Sequence, residues 1–113
     1  MIPSSCIKQI RRVPSAAIVD VTGDIDLNCS HEFQQGLLDV LDEEPKNLVI
    51  NLTDVNYMDS SGIASLVKLL SRSRRVGASL TLVGLSDRVK SLFEITRLDS
   101  VFRICSSEKD ALP

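Results

Sequence analysis

Residues 47–62 read NLVINLTDVNYMDSSG, and the succession of residue types along that stretch decides the fold. Asn47 to Leu52 is a continuous apolar run of strand length, the pattern of a strand buried on both faces in the middle of a sheet. A polar stretch follows as far as Ser60. Beyond it, Ile63, Leu66, Val67 and Leu70 recur at helical spacing, and Ser71, Arg72, Arg74 and Arg75 close the last turn before Gly77. Ser79 to Val83, SLTLV, is then another strand. A buried strand that leads into an amphipathic helix and a further strand describes a parallel pairing with a right-handed crossover.

Working outward, Ala16 to Thr22 (AAIVDVT) reads as a strand punctuated by Gly23. Cys6 to Val13 is a weaker strand before it, and Pro14-Ser15 supplies the turn of an antiparallel hairpin. From Asn28 or Ser30 onward, Phe33, Leu37, Val40 and Leu41 share one helix face, and that helix ends near Pro45. Towards the C-terminus, Ser86 offers an N-cap to a helix carrying Val89, Leu92 and Phe93. Val101 to Cys105 reads as an edge strand, and the last residues add a short helix. The expected architecture is α/β: a mixed sheet of four to five strands with an N-terminal antiparallel hairpin and three to four helices, in one domain over residues 1–113.

Composition narrows the function. With 113 residues, 43% of them hydrophobic, the chain suits a single core. Net charge is −2, from 13 Lys+Arg and 15 Asp+Glu, which disfavours nucleic acid as a partner. Aromatic content of 4% with no Trp leaves little to stack bases or cage cations. No run reaches the roughly 18 to 20 apolar residues that cross a bilayer, and no signal peptide is recognisable, so a cytoplasmic protein without a membrane partner is expected. Cys6, Cys29 and Cys105 lack the C-x-x-C spacing of a zinc or redox site and read as reduced thiols, so neither metal nor cofactor is expected.

The chemistry concentrates where the central strand meets its helix. Asp59, Ser60, Ser61 and Gly62 stand at the carboxyl end of a parallel strand, where open α/β sheets place their sites. Ser60 is positioned to cap the helix by accepting from the backbone N–H of Gly62 or Ile63. A nucleophilic-serine enzyme would need a base, but His31 is the lone histidine and the G-x-S-x-G elbow is missing. A phosphate-binding loop would need G-x-x-x-x-G-K-[ST], which is also missing. The cations of Arg72, Arg74 and Arg75 complement a helix dipole rather than mark a nucleic-acid site.

The string from Asn51 to Gly62, ending Asp59-Ser60-Ser61-Gly62, resembles the signature of the anti-sigma factor antagonists, bacterial members of the STAS domain family. A second family marker, Gly-Glu-Leu-Asp after the second strand, is matched by Gly23-Asp24-Ile25-Asp26, with Asp24 keeping the charge of the commoner Glu at shorter reach. The resemblance covers nearly the whole chain. It implies a regulatory protein rather than an enzyme. Unphosphorylated, such a protein binds an anti-sigma factor that is a serine kinase of the GHKL type and so frees a sigma factor. Phosphorylation of the first Ser of the motif, here Ser60, breaks the complex, and a PP2C-type phosphatase reverses it. Asp24, Asp26, Asp59, Ser61 and Gly62 are the expected partner-binding residues. The same domain also serves as a scaffold or adaptor in other signalling and lipid-transport complexes, and the Ser60-Ser61 pair favours the switchable antagonist.

Charge along the chain agrees with an acidic docking edge: residues 1–59 hold ten Asp/Glu against four Lys/Arg, and residues 60–113 hold five against nine. Acidic loops would steer towards a basic partner surface. Asp39, Asp42, Glu43 and Glu44 are read as solvating a helix end.

Overall fold

Hydrophobic pairing along the first strands sets the frame. In the computed structural model, which describes residues 6–112, β1 (Ile7–Val13) turns at Pro14-Ser15 and pairs antiparallel with β2 (Ala16–Ile25). Helix α1 (Ser30–Leu41) carries the chain over to β3 (Asn47–Met58), which lies parallel to β2. Helix α2 (Ser60–Val76) leads to β4 (Ser79–Val83), parallel to β3. After α3 (Asp87–Ile95) and a single 3-10 turn at Leu98–Ser100, β5 (Arg103–Cys105) adds a parallel edge to β4, and α4 (Glu108–Ala111) follows. The sheet order β1-β2-β3-β4-β5 puts the Asn47 strand at the centre, as its apolar run requires.

The central pair is longer than the sequence pattern suggested. β2 was expected to stop at Thr22 but continues through Gly23, at φ 83°, to Ile25; β3 was expected to stop at Leu52 but continues to Met58. The two run in register from Ala16 opposite Asn47 to Ile25 opposite Met58, with irregularities at Asp20/Thr22 and Gly23/Asp24. The stretch 53–58 reads as polar, yet Val55 and Met58 point into the core while Thr53, Asp54, Asn56 and Tyr57 face solvent. Helix α1 ends at Leu41, four residues before the Pro45 near which its end was expected, and β5 is shorter than its 101–105 expectation because Phe102 turns inward, edge-to-face with Phe93 at 5.5 Å.

Two apolar layers flank the sheet. One is large and is covered by α1, α2 and α3, with Phe33, Leu37, Leu66, Leu69 and Phe93 packed on Val19, Leu48, Ile50 and Leu82. The other is small: Ile18, Val49 and Val83 are covered by Ala111 of α4. Charge holds that second cover in place. The Arg11 guanidinium binds Asp20 at 2.8 Å and Glu108 at 2.6 Å, and Asn51 Nδ2 donates to Glu108 at 3.1 Å. A bidentate guanidinium between two carboxylates fixes orientation as well as charge.

The cysteine expectation is overturned. Cys6 and Cys29, 23 residues apart, form a disulfide with Cα atoms 6.8 Å apart, leaving Cys105 as the free thiol. No sequence spacing announces the pair; the antiparallel pairing of β1 with the end of β2 brings Cys6 beneath the loop that enters α1.

Candidate functional site

β2 and β3 end side by side, and the loops that leave them form one edge of the molecule. Asp24 lies opposite Tyr57 in the parallel register, and Asp59 N–H donates to the Ile25 carbonyl at 3.1 Å. The end of β2, with the 26–29 loop that leaves it, and the start of α2 are thus joined by backbone, and the structure brings together Asp24, Asp26, Asp59, Ser60, Ser61 and Gly62.

Within this edge the helix cap differs from expectation. Asp59, with extended backbone, is the N-cap of α2, and Ser60 is the first helical residue. Asp59 Oδ1 accepts from Ser61 N at 2.9 Å, Gly62 N at 3.3 Å and the Ser61 hydroxyl at 2.5 Å. These bonds hold its carboxyl below the usual carboxylate range, the Ser61 hydroxyl contributing most and the backbone of Ser61, Gly62 and Leu27 the rest, against a desolvation that acts the other way. The extension of β3 to Met58 fixes residue 59 in the cap conformation, so the carboxylate takes the role assigned to the hydroxyl.

The two serines are consequently unlike. Ser61 is half-buried and its hydroxyl is committed to Asp59, whereas Ser60 is exposed at the head of a 17-residue helix. Gly62 is buried. A Cβ there would stand 2.6 Å from Met58 Cγ and 2.8 Å from Ile25 Cγ2, so only glycine lets α2 seat against the ends of both strands. One turn on, the buried Ser65 hydroxyl donates to the Ser61 and Ser30 carbonyls at 3.0 and 3.2 Å, tying α2 to α1 behind the site.

The acidic pair divides its labour. Asp24 is exposed, while Asp26 is half-buried and its Oδ1 accepts from Asn28 N at 3.0 Å to close a local turn. The Asp26 carbonyl accepts from Cys29 N and Ser30 N at 3.1 and 2.9 Å and so starts α1. Beside them two apolar side chains are exposed: Tyr57 at 40%, and Leu27 at 78%, which escaped the sequence reading. Leucine between an acid and an amide gives no periodic signal, and its exposure follows from the turn that Asp26 closes. No group of three or more His, Cys, Asp or Glu side chains placed to hold a metal occurs among the described residues, and no described helix is long and apolar enough to cross a membrane.

Comparison with known proteins agrees with this architecture. The STAS domain profile matches residues 8–111. The anti-sigma-B factor antagonist of Listeria monocytogenes is 38% identical over 88 residues, covering 78% of this chain and 77% of its own. Among solved structures, an anti-sigma factor antagonist from Mycobacterium paratuberculosis superposes with a TM-score of 0.87 at 23% identity, covering 97% of this chain and 93% of that one. The unphosphorylated form of the anti-sigma factor antagonist SpoIIAA superposes with a TM-score of 0.76 at 16% identity over 90% of each chain. At those identities the two structures speak for the fold.

Proposed function

The chain belongs to the STAS domain family, and we propose that it acts as an anti-sigma factor antagonist switched by phosphorylation of Ser60. The relative from Listeria monocytogenes carries the name of an antagonist, not of an enzyme. The observation that carries the reading is the contrast between the serines: Ser60 offers a solvent-exposed hydroxyl at the start of α2, and Ser61 is bound to the capping carboxylate. In this reading the unphosphorylated edge binds a GHKL-type serine kinase that sequesters a sigma factor, and a PP2C-type phosphatase resets the modified form, all in the cytoplasm.

The physics of release follows from the site. A phosphoserine brings about −1.5 to −2 charges at neutral pH. At the N-terminus of α2 the helix dipole and backbone donors tolerate that charge, so the fold survives. Binding does not survive: the dianion arrives beside Asp59 and the Asp24–Asp26 loop, in an interface made for a neutral hydroxyl, and like-charge repulsion adds to desolvation. Each 1.4 kcal/mol lost weakens affinity roughly tenfold. Leu27 and Tyr57 supply the apolar anchors that a ring of acids alone would lack.

The test is phosphorylation by a serine-kinase anti-sigma factor encoded near this chain's gene, followed by intact mass and site mapping. Ser60→Ala should abolish labelling and keep binding, and Ser61→Ala should keep labelling. Full labelling of Ser60→Ala would sink the assignment.

A further inference from the structure

The Cys6–Cys29 pair lies directly under the loop that carries the acidic edge. Both residues are buried, and their Sγ atoms lie 3.7 and 3.3 Å from the carbonyl oxygen of Asp24. Cys29 is the residue before the first turn of α1, its N–H donates to the Asp26 carbonyl, and its own carbonyl receives Phe33 N at 2.9 Å. Cys6 is anchored from the other side, its carbonyl accepting from Thr22 N at 2.8 Å. A bond between the two sulfurs therefore ties the entry of β1 to the 26–29 loop where that loop enters α1. Cytoplasmic disulfides in proteins of ordinary organisms are mostly transient and redox-sensing rather than permanent.

We propose that Cys6 and Cys29 are a reversible thiol–disulfide couple whose oxidation staples the 26–29 loop and fixes the acidic surface beside Ser60. The proposal rests on the partner-switching reading for its biological consequence, and on geometry alone for the staple. The oxidant is a low-molecular-weight disulfide of the glutathione class. One cysteine thiolate attacks a sulfur of that disulfide and releases one thiol; the second cysteine thiolate then displaces the other, forming the Cys6–Cys29 bond. Two electrons pass from the protein to the small disulfide, and the two cysteine protons leave on the two thiols formed. Because both sulfurs are buried, exchange in either direction waits on local opening of the loop, so the staple responds to sustained shifts of redox poise.

The full chain, equilibrated in glutathione buffers from fully reduced to fully oxidised, then acid-quenched and alkylated with N-ethylmaleimide in denaturant so that buried thiols are reached, should pass from three adducts to one, on Cys105. Amide exchange across residues 26–30 should be at least tenfold slower in the oxidised protein than in the reduced protein, and Cys29→Ser should stay at the reduced rate in every buffer. Three adducts at every poise, one adduct at every poise, or equal exchange in the two forms would each overturn the proposal. Should Cys29→Ser not fold, the two redox forms of the unaltered chain decide the matter by themselves. No kinase enters these measurements, so a failure of the staple is distinguishable from a failure of Ser60 labelling.

Discussion

Ser60 and Ser61 are neighbours with the same hydroxyl and different chemistry, because one residue's backbone decides where both point. With Asp59 as cap, the Ser61 hydroxyl closes onto Oδ1 and the Ser60 hydroxyl is left to solvent. Ser60→Asp adds one negative charge where the dipole of α2 accommodates it; partner affinity should fall tenfold or more, with the melting temperature within about 2 °C of the parent. Titration calorimetry and thermal melting check both halves, and equal affinity in the two forms would remove the electrostatic account of release. Gly62 is constrained by space instead. Gly62→Ala places a methyl group against Met58 and Ile25, both buried, and should destabilise the domain by about 1–3 kcal/mol in chemical denaturation. An unchanged midpoint would show that α2 can lift away from the strand ends at no cost. The motif itself was legible in sequence at this scale, down to the residues. The identity of the cap was not, because Ser and Asp are both strong N-caps and a choice between adjacent candidates depends on which one has extended backbone.

Among the elements, the ends of β2 and β3 do most to shape the candidate interface. Their parallel register carries Asp24 next to Tyr57 and joins Ile25 to Asp59, so two segments far apart in the chain act as one surface. Within that surface Asp24 is exposed and Asp26 is tied into its own turn. Asp24→Asn should therefore slow association with a basic partner at low salt, the effect shrinking as salt rises, while leaving the melting temperature in place. Asp26→Ala should do the reverse, lowering the melting temperature by loss of the Asn28 bond. Stopped-flow association at two ionic strengths separates them, and a salt-independent rate for Asp24→Asn would assign that residue to the fold. The hairpin, the three crossover helices and β4 were legible from periodicity, since each is long enough to show its period. Residues 53–58 were not: two of every three side chains meet water there, and the buried Val55 and Met58 are too few to stand out from a polar loop.

For the whole molecule, the distribution of carboxylates sets the response to acid. Asp20 and Glu108 are held below the usual range chiefly by hydrogen bonds from the Arg11 guanidinium, and Asp59 by the Ser61 hydroxyl. A carboxylate whose folded pKa is depressed stabilises the fold above its unfolded value, near pH 4, and loses that contribution as pH falls through the lower folded value. Melting temperature should therefore be level near neutrality and decline below about pH 4. Arg11→Met should flatten the decline by removing the partner of Asp20 and Glu108 together, and a slope unchanged in that variant would exclude the Arg11 network as its source. What the sequence by itself determined is the order of elements, the parallel crossovers, the antiparallel hairpin and the placing of Asp59-Ser60-Ser61-Gly62 at a strand-to-helix junction. These are written in local periods of two and 3.6 residues, which neighbouring side chains specify without reference to the rest of the chain. Only the tertiary structure decided that Asp59 caps α2, that Asp24 stands beside the serine loop, that Arg11 pins α4, and that Cys6 meets Cys29. Each of those depends on which atoms a long-range strand pairing carries to the same place, and local periodicity holds no record of such meetings.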